Sequence, residues 1–380
     1  MTLKKTLVAL AALSTFALAH ADVNVGVTVS ATGPAASLGI PEKNTIALMP
    51  QTIGGQKINY IVLDDASDTS TAVSNTRKLI TESKVDVILG STTTPNSLAM
   101  IDVVAENQTP MISMAASARI VEPVDAKKRW VFKTPQNDIM MSLAIATSMA
   151  DSGVKTVGFI GFSDAYGEGW YGEFAKAAAL KGLTIVANER YARTDTSVTG
   201  QVLKLVAAKP DAVLVAASGT PAVLPQRTLK ERGYTGKYYQ THGVANNDFL
   251  RVGGKDVEGA FVTSGPAVIP EQLPADHPSK ALAADFVAKY EKAYGVGNRN
   301  QFAGHAYDAV IVLEKVIPMA LKKARPGTKE FRAAIRDATE TMGRTVVSHG
   351  VLNYTHDNHW GFTTETGLVL KVVNGDWKVE

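Results

Sequence analysis

The sequence predicts an α/β protein of two lobes, each built on its own parallel central sheet. Three observations carry this expectation. Short β-rich apolar runs alternate with helical stretches over brief connections, the alternation starts afresh near residue 154, and hydroxyl-rich turns close consecutive strands. Such alternation folds as right-handed βαβ units. A chain of 380 residues is long enough for two or three domain-sized units.

The first element is a leader. Lys4 and Lys5 form a basic start, residues 7–18 are almost wholly apolar, and Ala19-His20-Ala21 has the small-residue cleavage pattern. Residues 1–21 therefore read as a signal peptide, with a mature start near Asp22. An apolar stretch of about a dozen residues is short of the ~20 that span a bilayer. The chain has 0 Cys, which excludes disulfides, thiolate metal sites and a lipidated N-terminal cysteine. The expectation is a freely diffusing protein of the periplasm.

Strands are expected at 23–30, 58–65, 85–90 and 110–114, with helices at 69–82 and 95–107 between them. Pro135 interrupts the stretch 132–138, which resumes as helix, and this is the expected junction. The second set has strands at 154–162, 183–191, 212–217 and 237–241, separated by helices at 166–181, 197–209 and 221–232. After a strand at 259–264, a Pro-rich loop (266–278) leads into helices from 279 to about 342. The tail is expected to form short antiparallel strands, 351–354 and 367–373, around a polar turn. The lobes are then 22–135 plus 266–347 (N-terminal) and 136–265 plus 348–380 (C-terminal).

At 45% hydrophobic and 20% charged, the composition supports a large core held by packing alone. The formal charge of +3 falls to +1 once a leader with two lysines and no acid is removed. That balance gives no electrostatic basis for a nucleic-acid or anionic-lipid partner. No later segment is apolar enough to embed in a membrane.

Catalytic and cofactor signatures are not found where they would act. There is no G-x-x-x-x-G-K-[ST] loop, no G-x-G-x-x-G directly following the first strand at 23–30, no H-E-x-x-H and no G-x-S-x-G. The cluster Gly158-Phe159-Ile160-Gly161 has the wrong spacing for a dinucleotide. In Thr355-His356-Asp357-Asn358-His359 the central Asp-Asn favours a β-turn over a metal site. The expectation is a protein that is not an enzyme and holds neither cofactor nor metal.

Two turns are more informative. Gly90-Ser91-Thr92-Thr93-Thr94 closes the third strand and opens a helix at Pro95, and Ser113-Met114-Ala115-Ala116-Ser117 closes the fourth. Ligands of open α/β sheets sit beyond the carboxyl ends of the strands. Hydroxyls and free N–H groups at a helix N-terminus suit an anion. Ordinary N-capping explains one such turn; two on neighbouring strands point to an oxyanion site.

From about Val23 to the C-terminus the chain resembles the periplasmic leucine/isoleucine/valine-binding family of ABC importer receptors. The matching pieces are Thr32-Gly33-Pro34 with Leu38-Gly39, Gly54-Gly55-Gln56-Lys57-Ile58, Asp64-Asp65-Ala66-Ser67-Asp68, and the two hydroxyl turns. Tyr166-Gly167-Glu168-Gly169, His242-Gly243-Val244 and Tyr307-Asp308-Ala309 follow in order. The resemblance implies a type I periplasmic-binding, Venus-flytrap fold: two Rossmann-like lobes joined by a three-strand hinge, closing on a ligand. It also implies an inner-membrane ABC permease as partner and a monomer. Carried over residue by residue, Thr94 and Ser117 meet a ligand carboxylate, with backbone groups of Ala115 and Ala116. Leu38 forms a side wall, Tyr166 covers the ligand from the second lobe, and Thr220 and His242 complete the site. Asp64 and Asp65 are expected to cap the following turn.

One departure bears on the ligand. Where amino-acid-binding members place an acid to pair the α-ammonium, this chain has His242. Neutral imidazole offers one donor and one acceptor, and imidazolium would repel an ammonium. The expected ligand is a small carboxylate without an α-ammonium, such as an aromatic, oxo or dicarboxylic acid. If Glu168 or Asp164 supplies the missing charge, the ligand is instead a leucine-like amino acid. A ligand sensor on the same fold is a further reading. Phe302 and His305 are candidates to line the cleft near the hinge.

Overall fold

A computed structural model describes residues 21–362 and 367–380. The expected leader, apart from Ala21, lies outside them. The first lobe begins with β1 (Val23–Val29), α1 (Ala36–Ala47), β2 (Thr52–Ile53), β3 (Gln56–Asp64), α2 (Thr69–Thr81) and β4 (Val87–Gly90). It continues with α3 (Thr94–Glu106), β5 (Met111–Ser113) and β6 (Val131–Lys133). The sheet runs β2-β3-β1-β4-β5-β6, parallel except for the β2–β3 hairpin. β1 reads Val-Asn-Val-Gly-Val-Thr-Val and is buried along nearly its whole length. Helices cover both faces of such a sheet, so its strands lose the alternation of a half-exposed strand. Asp68 starts α2 by accepting from Thr71 N at 2.7 Å.

The chain then enters the second lobe with α4 (Asp138–Asp151), β7 (Thr156–Phe162), α5 (Ala165–Leu180), β8 (Thr184–Tyr191), α6 (Thr199–Ala208) and β9 (Ala212–Ala216). There follow α7 (Val223–Glu231), β10 (Lys237–Gln240), α8 (Asn247–Gly253) and β11 (Phe261–Ser264). α9 (Lys280–Tyr294), α10 (Gln301–Leu321), α11 (Lys329–Thr341), β12 (Thr345–Val347) and β13 (Gly350–Leu352) come next. Ala306, Val310, Leu313 and Ile317 of α10 and Phe331 and Ile335 of α11 pack in the core under β1. β14 (Leu368–Val373) and β15 (Asp376–Val379) complete the second sheet, β15-β14-β11-β10-β9-β7-β8.

The chain passes between the sheets three times: after β6, after β11 and before β14. Hydrogen bonds tie these passages to each other and to α10. Tyr354 OH donates to Lys133 O at 2.7 Å, Gln136 Nε2 to His349 O at 3.3 Å, and Thr134 Oγ1 to His305 O at 2.9 Å. The Asp308 carboxylate accepts from Ser348 N at 2.7 Å and His349 N at 3.2 Å.

Two expectations are corrected. The tail segments do not pair with each other: β13 pairs with β12, whereas β14 pairs with β11 and β15. Local alternation marks a strand but does not choose its partner. Helix α1 was not expected, because Gly39 and Pro41 interrupt it and its buried face includes Ser37, Glu42 and Thr45. Those residues erase the apolar period that announces a helix.

Candidate ligand-binding cleft

In each sheet the strand order reverses beside the first strand of its lobe. β3 and β4 flank β1, and β8 and β9 flank β7. Crevices at the carboxyl ends of strands beside such a reversal are where open α/β sheets bind ligands. The two reversals open onto one narrow cleft. Its wall is assembled almost wholly from residues that follow strand ends. Thr92, Thr93 and Thr94 come after β4, Met114, Ala115 and Ala116 after β5, and Pro135 after β6. The second lobe supplies Tyr166 after β7, Arg193 after β8, Ser218 after β9, and His242 and Gly243 after β10. Leu38 of α1 and Phe302 and His305 of α10 complete it.

The lobes meet around this cleft. A Cβ on Gly219 would stand 2.7 Å from Leu38 Cδ1, and one on Gly169 would stand 3.4 Å from Ser117 Oγ. Gly167 lets α5 start against β7, since a Cβ there would lie 1.9 Å from Phe162 O. Tyr166 is thereby seated over the cleft, with its hydroxyl 2.7 Å from Thr241 Oγ1.

The hydroxyl turn of the first lobe divides into fixed and free groups. Thr92 Oγ1 accepts from Ser30 N at 2.9 Å and donates to Glu42. Ser91 Oγ donates to Asp65 at 2.6 Å. Burial raises the Glu42 acid well above the carboxylate range. Thr94 Oγ1, at the N-terminus of α3, is buried without a partner among the described residues. A buried hydroxyl left unpaired costs roughly 1–3 kcal/mol, which makes Thr94 Oγ1 a candidate contact for a bound ligand. The Ala115 N–H is already engaged by Ser113 Oγ at 3.1 Å. Asp64 and Asp65 brace turns: Asp64 accepts from Ala31 N and Ala66 N, each at 2.9 Å, and Asp65 from Ser67 N at 3.0 Å.

Six of the eight expected residues line the cleft: Leu38, Thr94, Ala115, Ala116, Tyr166 and His242. Ser117 is buried behind the wall against Gly169, and Thr220 is half-buried beyond it, where Ser218 stands instead. Sequence reasoning missed Ser218 and, more consequentially, Arg193. The Arg193 guanidinium donates from Nε to Asp164 Oδ2 at 2.6 Å and from Nη1 to Ser218 Oγ at 2.9 Å. It stacks 4.2 Å from the Phe162 ring centroid. Asp164 also caps α5 by accepting from Tyr166 N at 2.8 Å. No motif marks Arg193; only its place just past β8 would have drawn attention to it.

Among the described residues no carboxylate stands in the wall. Asp164 is held by Arg193, and Glu168 by Arg190 at 3.0 Å. His242 and His305 are 3% and 1% exposed, and none of their ring nitrogens finds a partner among the described residues. Burial, helped by the Lys133 charge, pushes His242 down to about 3, and burial lowers His305 well below the usual imidazole range. Both rings are neutral at physiological pH. A base whose folded pKa is depressed destabilises the fold as pH drops below its unfolded value near 6.5. Between pH 7 and pH 4, His242 alone should remove about 3 kcal/mol of ligand-free stability. Urea melts should show a flatter dependence over this range for His242→Gln than for the unsubstituted protein. Parallel curves would contradict a buried neutral ring.

The sequence profile of the family described as periplasmic binding protein matches residues 22–370. The chain belongs to that family. Its members are solute-binding receptors rather than enzymes; they take small-molecule ligands and work with an ABC permease. Among the described residues no helix is long and apolar enough to cross a membrane. The Leu/Ile/Val-binding protein BraC3 of Rhizobium johnstonii is 26% identical over 365 residues, 93% of each chain. An extracellular ligand-binding receptor from Rhodopseudomonas palustris HaA2 is 48% identical with a TM-score of 0.92, covering 95% of this chain and 100% of its own. A solute-binding protein of an ABC transporter from Rhodopseudomonas palustris BisB5, in complex with 3,4-dihydroxy benzoic acid, shares the fold. Its TM-score is 0.78 at 24% identity, covering 94% and 95% of the two chains. The receptor thus has the type I periplasmic-binding architecture that its strand rhythm and ordered motifs predict.

Proposed function

We propose that this receptor captures a small organic acid lacking an α-ammonium, with aromatic acids the favoured class, and hands it to an ABC permease from the periplasm. One observation carries the reading: among the described residues the cleft wall contains a guanidinium, Arg193, and no carboxylate. Arg193 and the free Thr94 hydroxyl suit a carboxylate. An α-ammonium would meet the Arg193 cation and otherwise neutral imidazoles, hydroxyls and apolar side chains, none of which balances its charge. A buried charge left without a partner costs several kcal/mol, which disfavours amino acids. Tyr166, Phe302, His242 and His305 surround the cleft with ring faces and edges that suit a flat ligand. The fold-level likeness to the receptor crystallised with 3,4-dihydroxy benzoic acid agrees with this choice.

A thermal-shift screen followed by calorimetry tests the proposal, with benzoates, cinnamates, phenylacetates, oxo acids and dicarboxylates beside branched-chain amino acids. A ligand at about 100 times its Kd should stabilise by roughly 2.7 kcal/mol, a shift of a few degrees for a chain of this size. Shifts with organic acids and none with leucine are expected. Shifts confined to leucine-like compounds would overturn the ligand assignment.

A further inference from the structure

Behind the cleft wall lies a buried acid that the reading above does not use. Asp138, the first residue of α4, is 1% exposed, and neither of its carboxylate oxygens finds a hydrogen-bond partner among the described residues. Asp138 Oδ1 lies 3.8 Å from Nε2 of His242, whose two ring nitrogens are likewise unpaired. The His242 ring is held from the sides by Trp170 and Tyr166, with ring centroids at 5.4 and 6.3 Å. Lys133, also buried, donates to Pro135 O at 2.9 Å; burial raises the Asp138 acid to about 7 and lowers Lys133 to about 7, each only partly countered by the charge of the other.

We propose that Asp138 is a positioning residue for ligand recognition: its carboxylate keeps the proton of the neutral His242 ring on Nε2 and leaves the lone pair on Nδ1. The separation exceeds hydrogen-bond reach, and a shift of about 1 Å closes it. A neutral imidazole has one donor and one acceptor, and the partner of one nitrogen decides the role of the other. With Nε2–H turned to Asp138, the nitrogen left for a ligand accepts. The group that meets it must donate, which names a hydroxylated acid as the ligand class rather than an ether, an ester or a second carboxylate. Burial raises the Asp138 acid to about 7, against the pull of the Lys133 charge; the ionised form accepts through either oxygen, and the protonated form still accepts through its carbonyl oxygen.

This inference rests on the organic-acid reading for its ligand, and the experiment separates the two. ¹⁵N spectra of the histidine-labelled protein, without ligand, report which nitrogen of His242 carries the proton. We expect Nε2–H in the unsubstituted protein and in Asp138→Asn, whose amide oxygen still accepts, and a changed tautomer balance in Asp138→Leu. Calorimetry compares 4-hydroxybenzoate with 4-methoxybenzoate, which cannot donate from that position. The hydroxy acid should bind at least tenfold more tightly to the unsubstituted protein and to Asp138→Asn, and the ratio should fall towards one in Asp138→Leu. An Nδ1–H tautomer in the unsubstituted protein overturns the proposal whatever binds, as does an unchanged ratio in folded Asp138→Leu. If Asp138→Leu does not fold, the unsubstituted protein and Asp138→Asn still decide it through the tautomer. Failure of every organic acid to bind overturns the ligand reading instead.

Discussion

Arg193→Ala should weaken binding of the organic acid by at least ~100-fold, about 2.7 kcal/mol. The Arg193 side chain is only 14% exposed, and it is the one cation in the cleft wall among the described residues. Its Nε and Nη1 are committed to Asp164 and Ser218, which fixes the plane of the fork before any ligand arrives. Pre-organised, charge-assisted hydrogen bonds are about twice as strong as neutral ones. Truncating one partner of a buried charged contact costs roughly 2–5 kcal/mol, partly because the other charge is left uncompensated. Arg193→Lys keeps a point charge and loses the planar fork, so it should retain more affinity than alanine, with a loss of about tenfold. The alanine variant also removes the stacking on Phe162 and the partner of Asp164, so its melting temperature should fall. Calorimetry on protein shown to be folded separates that effect from ligand affinity. An affinity within threefold of the unsubstituted receptor would remove Arg193 from the ligand site, and with it the main electrostatic support for an anionic ligand.

Why Arg193 escaped sequence reasoning while Tyr166 and His242 did not has a physical explanation. Tyr166 and His242 sit in short motifs, Tyr-Gly-Glu-Gly and His-Gly-Val, whose glycines are required where backbones approach closely. A Cβ on Gly243 would lie 2.5 Å from Ala217 O. Such constraints leave a mark in the sequence. Arg193 lies in Tyr191-Ala192-Arg193-Thr194-Asp195, which reads as an ordinary polar turn. Its meaning comes from tertiary placement beside the β7/β9 reversal and from Asp164, 29 residues earlier. Ser117 differs in the opposite way: the turn that carries it is at the cleft, and its side chain packs against Gly169 where the lobes meet. Turn chemistry locates a site to within a residue or two and does not aim each side chain. The strands were legible because both sheets are buried on two faces and give continuous apolar runs. The tail pairing was not, because it depends on which strand edge is left open by the rest of the fold.

The second large effect is expected at His242. Replacing it with glutamate should reverse the ligand preference, with organic-acid affinity falling more than ~100-fold and leucine affinity rising at least tenfold. The new carboxylate would stand where the neutral ring is now, about 4 Å from Asp138. Two unit charges at that distance repel by about 4 kcal/mol at an effective dielectric near 20, so such a pair tends to hold one proton between them. With one proton shared the pair carries a single negative charge, which Lys133 balances from behind the wall, and the carboxylate end at the cleft is left to meet an α-ammonium. The same charge repels an incoming carboxylate that must also reach Arg193 and Thr94. An amino acid presents both groups and can satisfy both ends at once. His242→Gln is the control, since it removes the ring and adds no charge: it should weaken organic acids without any gain for leucine. Calorimetry with leucine and benzoate across pH 6 to 8 reads all three proteins. A folded glutamate variant with unchanged leucine affinity would show that this position does not face the ligand's α-carbon. The absence of an acid here would then no longer bear on which ligands the receptor accepts.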